Sequence, residues 1–295
     1  MVYPFFFVEN IVVAIYFLLN SQRIVIRNDN LLVFMTYITI IGFALIFLAT
    51  TAGSALVYFF KRDIPKRINA VILGFAAGVM IAASVWSLLI PSIEVAGDGW
   101  GVWLWVPAAV GFLLGGFFLV LLDHVLPHFH AGSGHEEGPH VKVHKSTRLF
   151  LAVTIHNIPE GLAVGLAFGA AAVSGDAGSY YAALGLAIGM AIQNFPEGAA
   201  IALPMKVATR SKHKAFLFGM GSGAVEPIAA VVGYVLASEV AVLHPWMLGF
   251  AAGAMIFVVA EDLIPDSNMS EYPHAGTWGV MLGFVLMMVL DVALG

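Results

Sequence analysis

Two segments, IHNIPEGLAV at 155–164 and IQNFPEGAAI at 192–201, each set an amide, a proline and a glutamate inside a long apolar run. On a helix, positions i, i+3 and i+4 share a face, so His156 and Glu160 project together with Asn157 beside them. Gln193, Asn194 and Glu197 repeat that geometry on the next run. Glu226, in GAVEPIAA, can add a third carboxylate. Facing one another, these side chains offer carboxylates, one imidazole and amide oxygens around a small volume. Pro159, Pro196 and Pro227 each remove a backbone donor, which frees the carbonyls of Ile155, Ile192 and Gly223 and is expected to kink the segments. Freed carbonyls of this kind line cation or water cavities in membrane helices. Oxygen and imidazole donors without thiolate suit a borderline or hard divalent ion: Zn²⁺, and also Cd²⁺, Fe²⁺ or Mn²⁺. Two bridging carboxylates can hold two ions rather than one. Asparagine and glutamine are weak neutral donors, which favours release over retention.

The elements that must position these groups follow from composition. Of the 295 residues 60% are hydrophobic and only 11% charged, a balance no soluble domain shows. A hydrocarbon core about 30 Å thick takes roughly 20 apolar residues per helical crossing. The chain offers nine such runs, near 4–19, 31–60, 68–91, 102–126, 147–172, 179–205, 214–238, 244–265 and 274–294. This predicts an all-α polytopic membrane protein. The first run is read as a peripheral helix with its connection over 1–30, and 31–295 as the core, with a His-rich loop at 127–146. Cysteine is absent, which excludes disulfides and thiolate metal sites. Net charge of −5 with no basic stripe excludes nucleic acid as a partner.

Basic residues orient the core. Eleven of the thirteen Lys and Arg fall after the second, fourth and sixth runs, in loops that alternate with ones holding none, such as GDGWG and SGDAGS. The positive-inside rule puts the basic loops in the cytoplasm. Arg23 and Arg27 are the exceptions. LGFAAGVM at 73–80 recurs as LGFAAGAM at 248–255, and five crossings separate the copies, so they traverse the bilayer in opposite directions. Inverted repeats of this kind place a substrate near the midplane between halves. A small-residue packing motif used twice is the alternative, but a match of seven letters in eight favours common descent, with packing as a reason for its survival. The helices after each copy end alike, with Asp123 in VLLDHVLP and Asp291 in MVLDVALG.

Glu160, Glu197 and Glu226 each land near the centre of a run. An ionised carboxylate there costs about 2.5–3.5 kcal/mol on insertion scales, so three cost roughly 8–10 kcal/mol unless something offsets them. Every Lys and Arg lies in a loop or at a helix end, which leaves protonation or an imported cation.

On these motifs the chain resembles the ZIP (Zrt/Irt-like protein) family of divalent metal transporters, most closely its GufA branch, over residues 35–295. The resemblance implies eight core helices, often with another at the N-terminus, a homodimer, and metal uptake toward the cytoplasm by an elevator motion of a four-helix bundle against a scaffold. It implies a first metal position of His156, Glu160, Gln193 and Glu197 with Met80 close by. A second position would use Asn157, Asn194 and Glu226, with Glu160 and Glu197 bridging. Some relatives carry aspartate where this chain has Asn194, and that loss of charge either leaves the second position unoccupied or makes it a weaker, modulating one.

Other stretches bear on a pathway. His128, His130 and their neighbours in PHFHAGSGHEEGPHVKVHK resemble the variable His-rich loop of the family, suited to transient capture of an exiting ion or to service as a solvated linker. Glu261 and Asp262, in VAEDLIPDSN, sit at a predicted cytoplasmic helix end, as an exit relay or a polar terminus. Asp123 and Asp291 either line the route or pin scaffold helices, and Ser84, Trp86 and Ser87 line or pack. The reading is a transporter, without organic cofactor, in a bacterial inner membrane. The rivals are an intramembrane zinc hydrolase, in which His156 and Glu160 hold a metal-activated water, and a proton-driven exchanger or channel.

Overall fold

The computed structural model describes residues 29–59, 65–125, 128–129, 136–137, 145–268 and 272–294. The run expected at 4–19 and His130 lie outside the described residues. Among the described residues eight spans follow in chain order, each long and apolar enough to cross a membrane. Helix α1 is Asp29–Ala55, closed by a 3₁₀ turn Leu56–Tyr58. Helix α2 comprises Lys66–Ala83, a π segment Ser84–Leu89 and Ile90–Trp100. Helices α3 (Val106–Val125), α4 (Lys145–Ser174) and α5 (Ala177–Thr209) come next. Helix α6 is Lys212–Gly223 continued, after a break at Ala224, by Val225–Glu239. Helix α7 joins His244–Val258, a π segment Val259–Leu263 and Ile264–Asn268, and α8 is Pro273–Leu294. In the His-rich loop, His128–Phe129 pairs antiparallel with Glu136–Glu137. The chain is an all-α integral membrane protein.

Most predicted boundaries hold within a few residues, and the exceptions have local causes. Helix α2 runs past its predicted end at 91 as far as Trp100, because Gly97, at φ 37°, absorbs a kink inside it. Helix α6 breaks where Pro227 was expected to act. The proline sits in the first turn of the second piece, where its missing N–H costs nothing. Pro159 and Pro196, by contrast, stay inside unbroken α4 and α5. The turn into α5 is capped by Asp176, which accepts from the Ser179 backbone N–H at 2.9 Å and its hydroxyl at 2.6 Å. These bonds, the hydroxyl's first, hold the Asp176 carboxyl down at about 2.

Apolar side chains give little drive for helix association in lipid, so close backbone approach at small residues must supply it. A methyl on Gly198 of α5 would come within 2.0 Å of the Thr50 carbonyl oxygen on α1, and one on Gly161 of α4 within 2.2 Å of the Glu226 carbonyl oxygen on α6. Glycines thus seal α1 to α5 and α4 to α6. The same device joins α2 to α8 and α3 to α7, and here it exposes the repeat. Gly279 and Gly283 of α8 rest on Val71 and Phe75 of α2; Gly111 and Gly115 of α3 rest on Trp246 and Phe250 of α7. These residues occupy matching places around LGFAAGVM and LGFAAGAM. A π segment begins four residues after each copy, at Ser84 and Val259. Packing and descent therefore coincide: the motif survives as the surface by which each copy seats its partner helix.

Two four-helix groups result, α1/α4/α5/α6 and α2/α3/α7/α8. Contacts between the groups are softer. A methyl on Gly189 of α5 would meet the flexible Met287 sulfur of α8, not backbone. Gly198→Val is expected to destabilise the folded protein by about 1–3 kcal/mol through overpacking, read as a lowered melting temperature in detergent. Gly99→Ala, which meets open space, should leave that temperature unchanged.

Candidate metal centre

The site lies inside the first group, where α4, α5 and α6 converge behind α1. Asn157, Glu160, Gln193, Asn194 and Glu226 are all buried to within 2% of complete. Helical spacing puts Glu160 one turn after His156, and the glycine that follows each glutamate lets the neighbouring backbone come in against it. Glu226 sits just after the break in α6, so its carboxyl enters the gap between α4 and α5. Glu160, Glu197 and Glu226 are close enough for their charges to act on one another. The motifs of two antiparallel helices do converge.

Hydrogen bonds order part of this cluster. The Thr50 hydroxyl donates to Glu226 Oε1 at 2.8 Å, and Asn157 Nδ2 donates to the same oxygen at 3.3 Å and to the Ser222 carbonyl at 3.1 Å. Asn194 Nδ2 donates to Glu226 Oε2. Gln193 Nε2 donates to Asn194 Oδ1 at 3.0 Å. Three buried oxygens have no donor: Asn157 Oδ1, Glu160 Oε2 and Gln193 Oε1. Leaving such atoms unsatisfied costs about 1–3 kcal/mol each, and oxygen lone pairs in a cluster are what a dication accepts. Among the described residues no three His, Asp or Glu side chains form a ready-made metal cage.

His156 is turned toward the other group, with Nε2 3.1 Å from Asp262 Oδ2 in the π segment of α7. Met80 is buried on α2 and its carbonyl accepts from the Ser84 hydroxyl at 2.7 Å, so the π segment starts against it. On α8, Asp291 accepts from the Ser87 hydroxyl through Oδ1, while its buried Oδ2 has no donor. Glu261 is exposed beside Asp262. Asp123 lies in the last turn of α3. Trp86 packs edge-on against Phe284. Thr50 and Ser222 escaped the sequence reading. Their signal was faint: hydroxyls in the apolar stretches LATTAGSA and GMGSGAV.

Residues 146–291 match the family model described as ZIP Zinc transporter. Human Zinc transporter ZIP11 is 38% identical over 83% of this chain and 94% of its own length. Zinc transporter ZIPB of Bordetella bronchiseptica is 38% identical over 84% of this chain and 78% of its own. The chain belongs to the ZIP family. Zinc transporter GufA of Myxococcus xanthus is similar at 37% identity over 83% of this chain, in keeping with the branch its motifs resemble. For this ZIP chain, Glu160→Ala and Gln193→Ala are each expected to weaken equilibrium Cd²⁺ binding by more than about tenfold, measured by calorimetry on purified protein.

Proposed function

We propose that the protein carries Zn²⁺, and with it Cd²⁺, Fe²⁺ or Mn²⁺, across the membrane toward the cytoplasm, the ion bound by His156, Glu160, Gln193 and Glu197 with Met80 adjacent. The observation that carries this reading is the cluster of donorless buried oxygens beside three carboxyl groups that would repel one another when ionised, with no Lys or Arg at mid-span to balance them. A dication relieves both the repulsion and the unmet lone pairs. An intramembrane hydrolase would hold its metal with strong ligands on a fixed scaffold. Amide donors and an inverted repeat fit transport, and the relatives are named as transporters.

The division into two groups supports alternating access of the elevator type. Within each, glycines lock backbone to backbone; between them, Gly189 meets only a methionine side chain. All six tryptophans lie on α2, α7, α8 and the turn joining α2 to α3. Trp100, Trp103 and Trp105 are exposed at one end of that group and Trp278 near the other. Tryptophan prefers the membrane interface, so the belts favour that group as the part held still in the bilayer. The ion rides with α1, α4, α5 and α6. It enters past Asp291 and Ser87 and leaves past Asp262 and Glu261, with the basic loops cytoplasmic. The static group is also the natural face for a homodimer. A bacterial inner membrane provides the required sidedness.

Glu197→Ala is expected to abolish radioactive zinc uptake into proteoliposomes while the protein still inserts, with excess Cd²⁺, Fe²⁺ and Mn²⁺ each competing against uptake by the unaltered protein. Near-normal flux would remove Glu197 from the site. Because the chain has no cysteine, a Gly189→Cys, Met287→Cys pair can cross-link the two groups cleanly. Oxidation should stop uptake and reduction should restore it; uptake that persists in the cross-linked protein would rule out relative motion at that contact.

A further inference from the structure

The second metal position implied by the family resemblance would be built from Asn157, Asn194 and Glu226, and in this chain those groups spend their polar atoms on one another. Both oxygens of the buried Glu226 are taken. Oε1 accepts from Thr50 Oγ1 at 2.8 Å and Asn157 Nδ2 at 3.3 Å, and Oε2 accepts from Asn194 Nδ2. Asn194 Oδ1 accepts from Gln193 Nε2 at 3.0 Å. An ion seated there would have to break three or four of these bonds. The lone pairs left over point elsewhere: Asn157 Oδ1, Glu160 Oε2 and Gln193 Oε1 are the donorless oxygens of the cluster.

We infer that the second position is closed by hydrogen bonds, that the site takes one divalent ion, and that Glu226, held by Thr50, is a positioning residue and not a ligand. The physical reason lies at residue 194. An aspartate there would face the Glu226 carboxylate as a second negative charge, and the pair would call for a cation between them. The asparagine amide instead presents an N–H to Glu226, doing with a hydrogen what a second ion would do with charge. That bond fixes Asn194, which orients Gln193 through its own oxygen. On the other side Glu226 draws in Asn157 Nδ2, which also bonds the Ser222 carbonyl at 3.1 Å. Both amides are thereby turned so that their free oxygens serve the ion. Thr50 anchors the arrangement from α1, where its backbone abuts Gly198, the residue after Glu197.

This inference rests on the transport site proposed above, and the test separates the two. Metal content is measured on full-length protein in nanodiscs equilibrated with Cd²⁺, and each protein is compared with its own Glu160→Ala counterpart so that ions held by the His-rich loop cancel. The difference should be one ion per chain for the unaltered protein and two for Asn194→Asp. A difference of two in the unaltered protein, or of one in a folded Asn194→Asp, overturns the closed second position. A difference of zero in the unaltered protein would instead sink the site itself. Thr50→Val, which keeps the shape and loses the donor, should raise the Cd²⁺ dissociation constant several-fold with the count still at one, and Thr50→Ser should restore it. A Thr50→Val protein with unchanged affinity, or a Thr50→Ser protein as weak as Thr50→Val, removes the hydroxyl from the positioning role.

Discussion

Three glutamates set between membrane helices, Glu160 and Glu226 buried and Glu197 half-buried, without a lysine or arginine at the same depth, are the constraint on which the rest of the structure depends. Hydrocarbon supplies no counterion and no water, so the protein must satisfy these groups from within or import a positive charge. It does part of each. Glu226 is satisfied internally, by a threonine and two asparagines. Glu160 keeps an oxygen without a donor, and the neighbouring Asn157 and Gln193 do the same. On the proposed reading, that division of labour turns a costly set of acids into a place for a passing ion.

The backbone makes that division achievable. Carboxylates and amides reach each other here only because the helices that bear them touch at glycines. Gly161 admits the α6 backbone beside Glu160, and Gly198 admits α1 beside Glu197. Each motif therefore carries its glutamate and, in the next residue, the means of bringing a neighbour up to it. The other helix group applies the same glycine contacts to itself, twice, in opposite directions. Its two π segments follow the two copies of the repeat, one leading to Ser87 and its bond to Asp291, the other to Asp262 and its contact with His156. Extra-wide turns of this sort often mark functional places in helices, and here they aim polar groups at opposite ends of the scaffold.

His156 is the side chain that connects the groups. It belongs by spacing to the ion site, one turn from Glu160, yet its imidazole contacts Asp262 across the boundary. A ligand that can face either the site or the scaffold suits a carrier, since a residue cannot bind the ion and hold the boundary with the same nitrogen at once.

The sequence by itself determined the class, the spans, the inverted repeat and the identity of the acids. These are written in hydrophobic run length and in i, i+4 spacing, both properties of a single helix that tertiary contacts do not alter. Even the break in α6 was legible, from Pro227. What only the tertiary structure decided is who bonds whom. Asn157, Asn194 and Glu226 look from their spacing like three more ligands, and Thr50, 176 positions from its partner, looks like nothing. Whether an amide turns its oxygen or its N–H inward depends on which neighbour reaches it first. That is fixed by backbone approach between helices distant in the chain, which no local pattern encodes.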